Sequence, residues 1–364
     1  MKITGVEILG ISLPLKKPFV IAYEFWEAMP SILVRLETDE GLEGWGEAVP
    51  DPLVSGETYA SCLAMLRDDL APHVLGLDPT DVAGLHAALG FVRGAPAAKA
   101  ALDIACHDIL GKAQEKPLWE LLGGADNPLE LPMVISLLSP GEQATEAALG
   151  LARGFRQFKV KLGQGWHQDS QRILAVREAL GPEPVIRVDA NQGWNREDAV
   201  KMLPSLREAG VAVLEQPLAW WDVEGLALLN REIIVMADEA VLDLHDFQRV
   251  LALGACRMLN IKLMKCGGLF PAVKLAEVAR EAGIPVLVGS MLESAVGSLA
   301  GAHLAAGVLG VVANEMVGPG FFGLDSGSFP QVGKEIYLSN RPGLGFIPCR
   351  QNLEKLSIIR EFFQ

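Results

Sequence analysis

The stretch that decides the fold reads PVIRVDANQGWNREDAVKMLPSLREAGVAVLEQPLAWWDVEGLALLNREIIVMADEA, from Pro184 to Ala240. Three short runs of aliphatic and β-branched residues punctuate it, and they close on Asp189, Glu215 and Asp238. Between them, segments such as DAVKMLPSLREAG carry apolar residues three and four apart, the period of a helix. Strand, helix, strand in this rhythm is the pattern of parallel strands joined by crossover helices. The acids lie 26 and then 23 residues apart, about one strand–helix unit each time. Adjacent parallel strands would therefore bring the three carboxylates together at their C-terminal ends, where loops converge on the mouth of a barrel.

Taken singly, such an acid reads as a helix N-cap or a solvated charge. Three in successive units read as a ligand set, because carboxylates held together repel one another unless a cation sits between them. An all-oxygen donor set with room for water suits Mg²⁺, with Mn²⁺ able to substitute.

The rhythm extends in both directions. Similar runs occur near Val134, Val160, Ile261, Leu287 and Ala313, which makes eight with the three above. Eight such units fit a parallel α/β barrel better than an open doubly wound sheet. The run near Val160 contains Lys159-Val160-Lys161, two lysines on one strand face, costly inside a barrel unless a site uses them. The run near Ile261 closes on Lys262, across the barrel from that pair, while Lys265 is expected in the following loop. A lysine becomes a base when a neighbouring cation disfavours its ammonium form, and Lys159 is such a neighbour for Lys161. Lysines on two sides of a metal-held carboxylate would make an α-carbon proton removable.

Upstream, ILVRLETDEGLEGWGEAV reads as two strands joined at Asp39-Glu40-Gly41, and Tyr59–Leu75 and Ala97–Gln114 read as helices. GGADNPLELP, Gly123 to Pro132, is dense in turn residues. It sets the expected division: residues 1–125 an α+β domain, 126–329 the barrel, and 330–364 a tail returning to the first domain. The charge balance is 31 Lys plus Arg against 45 Asp plus Glu, net −14, which disfavours nucleic acid and anionic membrane as partners. No signal peptide is read at the N-terminus. The apolar stretch Ile284–Val312 is interrupted by Glu293 and His303 and reads as buried strand–helix–strand, not a membrane span. Five scattered cysteines point to free thiols in a reducing cytoplasm.

With these residues in place, the chain resembles the enolase superfamily, in its muconate-lactonizing subgroup. The resemblance covers nearly the whole chain, through GLEGWGEAVP, ALDIACHDILGKAQEKPLWELLGG, FKVKLG, RVDANQGW, LEQPLAWWDVEGL, MADEAV, NIKLMKCGG, GSMLESAVGSLAGAH, NEMVGPGFF and PGLGF. It implies a modified TIM barrel, (β/α)7β, under an N-terminal α+β capping domain with mobile loops near Val20–Met29 and Gly56. It implies Asp189, Glu215 and Asp238 as magnesium ligands, and Lys161 and Lys262 as an acid/base pair on opposite faces of the substrate. Lys159 would modulate Lys161, Asn191 would support the metal ligands, and Glu239 the region beside them. That chemistry, an enolate-type intermediate stabilised by Mg²⁺ with a lysine base, is the general pattern of the superfamily.

Substrate signals diverge. NIKLMKCGG and VGSMLES look closest to dipeptide epimerases, which typically carry two aspartates at the eighth strand; here Glu315-Met316-Val317 keeps one acid. Ala-Glu epimerases also carry a capping-loop arginine, where this chain has Glu24. NEMVGP resembles muconate cycloisomerases, in which the residue at Glu315 takes part at the active site. N-acylamino acid racemases and succinylbenzoate synthases share the lysines and ligands but not this eighth strand. Glu24, Trp26 and the Trp220-Trp221 pair suggest a carboxylate and aromatic faces for a cationic substrate group. Ser290 and Glu293 are further substrate-binding candidates. The expectation is a racemase or epimerase of an amino-acid derivative or dipeptide-like substrate, assembled as a homo-oligomer. The alternatives are cycloisomerisation, a dehydration of the succinylbenzoate type, or an inactive ligand-binding barrel.

Overall fold

The structure, a computed structural model, describes residues 1–364. A four-stranded antiparallel sheet is built from β1 (Ile3–Val20), β2 (Phe25–Thr38) and β3 (Glu43–Ala48), with the chain's last strand, β15 (Ser357–Phe363), beside β1. Gly41, at φ 79°, turns β2 into β3 at the expected position. The helix Pro96–Ala113 lies against this sheet, so closely that a Cβ on Gly44 or Gly46 would collide with the Ala105 or Ala101 carbonyl. Backbone approach that tight is what glycine permits.

The segment expected as one helix, Tyr59–Leu75, differs. It is α-helical over Tyr59–Ala64, widens to π geometry over Met65–Leu70, and resumes over Ala71–Val74. Pro72 offers no N–H and its ring crowds the carbonyl four residues back, a local cause for the widened turn.

A short β4 (Leu129–Glu130) leads into eight parallel strands: β5 (Met133–Ile135), β6 (Gln157–Lys161), β7 (Val185–Asp189), β8 (Val211–Glu215), β9 (Val235–Ala237), β10 (Met258–Ile261), β11 (Val286–Val288) and β12 (Val311–Asn314). They pair in sequence order, and the sheet curls into the barrel expected from the eight runs. No ladder joins β12 to β5; at that seam the Asn314 Nδ2 donates to the Glu130 carbonyl at 3.0 Å. β13 (Gln331–Val332) and β14 (Glu335–Ile336) add a small antiparallel sheet onto β4. Ile284–Val312 forms β11, the helix Ala295–Gly307 and the start of β12, and no helix of the chain is long and apolar enough to cross a membrane. All five cysteines are free.

Several helices between strands begin on acidic or small polar caps: Ser139, Asn195, Asp222, Asp243 and Ser294 each accept a backbone N–H of the first turn. Asp222 and Asp243 are thus acids in the ordinary capping role. Asp189, Glu215 and Asp238 are not; they point into the barrel. One hydrophobic core runs unbroken from β1–β3 through the barrel helices, so the sheet cap is seated on the barrel by packing.

Candidate active site

Ladder register builds the site. Lys161 pairs with Asp189, and Asp189 with Glu215, so β6, β7 and β8 deliver one row of charged residues. Asp238 directly follows β9, and Lys262 directly follows β10. The carboxylate oxygens of Asp189, Glu215 and Asp238 lie within 4.8 Å of one another, and all three residues are fully buried.

Backbone strain shapes the exits of these strands. Asn191 (φ 42°), Gln192 (φ 64°) and Gln216 (φ 31°) are left-handed without being glycine, a conformation that costs roughly 1–3 kcal/mol per residue and concentrates at functional sites. The reversal lets the Asn191 N–H donate to Asp189 Oδ1 at 2.9 Å while its side-chain Oδ1 accepts from Lys161 Nζ at 2.8 Å. Asn191 Nδ2 in turn donates to Glu239 at 3.3 Å.

Four lysines are buried in the barrel, and they divide into two kinds. Lys159 is enclosed by Asp189 at 3.0 Å, Glu215 at 2.8 Å and Glu315 at 3.0 Å. Burial alone would lower its pKa, but these three carboxylates hold its ammonium well above the usual lysine range. Lys265, expected in a loop, instead lies beneath Asp238. It contacts that carboxylate at 2.7 Å and donates to the Asn260 carbonyl at 3.0 Å and to the Asp238 carbonyl. The short helix Leu263–Cys266 folds it back under the strand end. Lys161, 2.7 Å from Asp189, and Lys262, 2.7 Å from Asp238, are the two that line the open cavity. Asp238 and Glu239 overcome the effect of burial and hold Lys262 high.

The acids respond in opposite directions. Burial raises carboxyl pKa values, yet Lys159 and Lys161 hold Asp189 far below the usual range, and Lys262 and Lys265 do the same for Asp238. Glu215 is pushed up to about 8 by burial and by the charge of Asp189, and Glu239 up to about 7 by burial and Asp238. Glu215 Oε2 and both Asp238 oxygens have ammonium groups at ion-pair distance but no donor aligned as a hydrogen bond. Buried, oxygen-only, and with lone pairs unclaimed, this triad fits Mg²⁺.

Below it lies a layer the sequence reading did not single out. Arg187, two residues before Asp189 on β7, binds Glu315 and comes within 3.6 Å of Glu215. Asn260 Nδ2 donates to Glu215 at 2.8 Å. Glu315, read as an active-site residue, belongs to this layer: Lys159 and Arg187 outweigh its burial and keep it ionised, and it does not line the cavity.

The cavity, about 190 Å³, opens between barrel and cap. Of the substrate-binding candidates, Glu24, Trp26 and Ser290 line it, with Trp26 stacked on Phe19 at 6.4 Å. Glu293 does not. Its carboxylate is taken up by the Met291 N–H at 2.9 Å and by the Ser290 hydroxyl, which makes it a clamp on its own turn. Trp220 and Trp221, 54% and 60% exposed, also stand outside, which withdraws them from the aromatic site. Two cap residues went unnoticed in the sequence: Tyr23 donates to Asp51 at 3.1 Å, tying two loops together over the cavity.

Comparison with known proteins places this geometry among relatives. Residues 3–123 match the family model for the mandelate racemase / muconate lactonizing enzyme N-terminal domain, and residues 142–351 match that for the enolase C-terminal domain-like family. An N-succinyl-L-Arg/Lys racemase of Bacillus cereus is 40% identical over 99% of both chains. The crystal structure of the N-succinyl Arg/Lys racemase from that species superposes with a TM-score of 0.98 at 38% identity over the whole of both chains. A dipeptide epimerase of Enterococcus faecalis, solved with Mg and L-Leu-L-Tyr, superposes with a TM-score of 0.92 at 34% identity, covering 95% of this chain and 99% of that one.

Proposed function

Because the chain belongs to the enolase superfamily, in its mandelate racemase / muconate lactonizing enzyme family, we propose that it racemises the α-carbon of an N-acylated amino acid through Lys161 and Lys262. The observation that carries the reading is the division among the four buried lysines. Lys159 and Lys265 are locked by carboxylates away from the cavity, while Lys161 and Lys262 approach it from β6 and β10 on either side of the acidic triad.

Asp189, Glu215 and Asp238 would hold Mg²⁺, or Mn²⁺ in its stead, since both accept hard oxygen donors. When bound, the ion supplies positive charge that stabilises a substrate carboxylate as its α-carbon loses a proton. Lys161 accepts that proton on one face, oriented by Asn191 Oδ1, and Lys262 returns one on the other. In the reverse direction their roles exchange. Arg187 and Lys159 hold Glu215 and Glu315 in place from below, and Trp26 and Tyr23 roof the cavity against water.

The chemistry of the eighth strand favours an N-blocked substrate. Glu315 is consumed by Lys159 and Arg187, and Val317, two residues on, stands where the paired acid of a dipeptide epimerase would be, so no acid remains there for an α-ammonium group. Glu24 at the cavity rim offers a carboxylate for a cationic side chain instead. The cycloisomerase alternative leaned on Glu315 in the cavity and loses that support. The same proposal sets the enzyme in the cytoplasm, in keeping with its free thiols, as a homo-oligomer, in keeping with exposed Leu309, Val312 and Val332. The test is incubation with Mg²⁺ in D₂O of N-succinyl-L-lysine, N-succinyl-L-arginine and free dipeptides. Deuterium should enter the α-carbon of the N-succinyl compounds with inversion; exchange confined to the dipeptides would refute the N-blocked assignment.

A further inference from the structure

Glu47, on β3 of the sheet cap, is a fully buried carboxylate with no cationic side chain in contact. Such a group is costly unless hydrogen bonds satisfy it, and four do. The Ser31 hydroxyl donates at 2.7 Å from the neighbouring strand. The other three come from the barrel: the Ser294 N–H at 2.8 Å, the Ser294 hydroxyl at 2.7 Å and the Gly297 N–H at 2.8 Å.

Ser294 is the N-cap of the helix Ala295–Gly307, and Gly297 is its third residue. In an ordinary capping box the third residue is Glu or Gln, whose side chain reaches back to the N-cap N–H. Here that position is glycine, and a Cβ on it would lie 2.7 Å from the Glu293 Cβ and 3.0 Å from Glu47 Oε2. The missing carboxylate arrives from another part of the fold. Immediately before this helix, Ser290, Met291 and Leu292 line the cavity, with Leu292 in a left-handed conformation at φ 63° that needs its surroundings to hold it.

We propose that Glu47 is a positioning residue: reaching from the cap, its carboxylate completes the capping box of the helix Ala295–Gly307 and so fixes the cavity wall Ser290–Leu292. The wall is then correctly set only when the cap is seated on the barrel. This couples the two halves of the cavity through one buried charge.

The experiment compares wild type, Glu47→Gln and Ser294→Ala as full chains. Amide hydrogen exchange of residues 290–298 should rise by about tenfold or more in Glu47→Gln, and less in Ser294→Ala, which keeps both backbone donors, while protection on β6–β8 stays at the wild-type level. This arm needs no substrate. The kinetic arm rests on the racemase reading: KM for N-succinyl-L-lysine should rise by about fivefold or more with kcat within about twofold. Exchange at 290–298 unchanged in both variants, or raised equally throughout the chain, would overturn the proposal and leave Glu47 a general stabiliser. Local loosening with KM unaltered would overturn its link to the cavity. Absence of turnover in the wild type would count against the racemase reading alone, because the exchange arm stands without it.

Discussion

Acid should weaken this protein through a residue that takes no part in the acidic triad. His303 lies inside the helix Ala295–Gly307, 1% exposed, and joins it to two segments outside the barrel. Its Nδ1 accepts the Trp119 N–H at 3.0 Å and its Nε2 pairs with the Leu344 carbonyl at 3.1 Å, so the ring must be neutral with its proton on Nε2. A second proton would sit on Nδ1 against another donor, in a place water does not reach. Burial pushes the folded pKa down to about 4, against about 6.5 in an unfolded chain. As pH falls, the unfolded chain takes up this proton first. The contribution is therefore whole above about pH 6.5 and is lost as pH falls to about 4. At ~1.4 kcal/mol per pKa unit the loss amounts to about 3 kcal/mol. Guanidinium unfolding at pH 7.0 and 4.5 should then show the wild type far ahead of His303→Gln at pH 7.0, with the gap narrowed by about 2–3 kcal/mol at pH 4.5. Carboxylates titrating in the same range cancel in that difference. Parallel losses in the two proteins, or an imidazole resonance of His303 titrating near pH 6.5, would refute the reasoning.

Three further outcomes follow from the site. Lys161→Ala and Lys262→Ala should each lower turnover by about 10²–10⁴-fold or more, with circular dichroism and Mg²⁺ binding by calorimetry unchanged; activity retained in both would sink the two-lysine mechanism. Chelation should stop turnover and added Mg²⁺ restore it, with Mn²⁺ partly effective; turnover indifferent to chelator would remove the metal from the account. Arg187→Met leaves the buried Glu315 with one cation in place of two, and should cost about 3–5 kcal/mol in denaturant unfolding. An unchanged midpoint there would mean that Lys159 alone neutralises the layer.

What could be read from sequence was what repeats. Asp189, Glu215, Asp238 and Lys161 announce themselves because the strand–helix period fixes their register, and the barrel turns equal spacing into contact. Arg187 carried the same signal as Lys159, a charge two residues before another on one strand face, and the rule that singled out Lys159-Val160-Lys161 would have found it. Lys265 escaped because its position depends on a four-residue helix that folds back beneath Asp238, a local turn that spacing does not encode. The Glu315 pairing with Lys159 spans 156 residues of sequence, and only closure of the barrel brings the two together. Glu293 shows the converse error: it stands in a cavity-lining motif, but a left-handed Leu292 turns its carboxylate back onto the motif's own backbone.

The cap lacks the strand–helix repeat of the barrel, and substrate choice is proposed to reside there. Glu24, Trp26, Tyr23 and Asp51 meet over the cavity from two loops whose ends are set by sheet pairing and by single hydrogen bonds. Charge chemistry and specificity therefore have different physical bases in this molecule. The lysines and acids are fixed by parallel register, so exchanging one of them should abolish the reaction for every substrate alike. The roof is fixed by contacts between cap and barrel, the fully buried Glu47 carboxylate among them, so changes there should alter which substrate is held while the proton transfer between Lys161 and Lys262 survives. Relatives that share the barrel yet differ in substrate, such as the N-succinyl racemase and the dipeptide epimerase, fit this division.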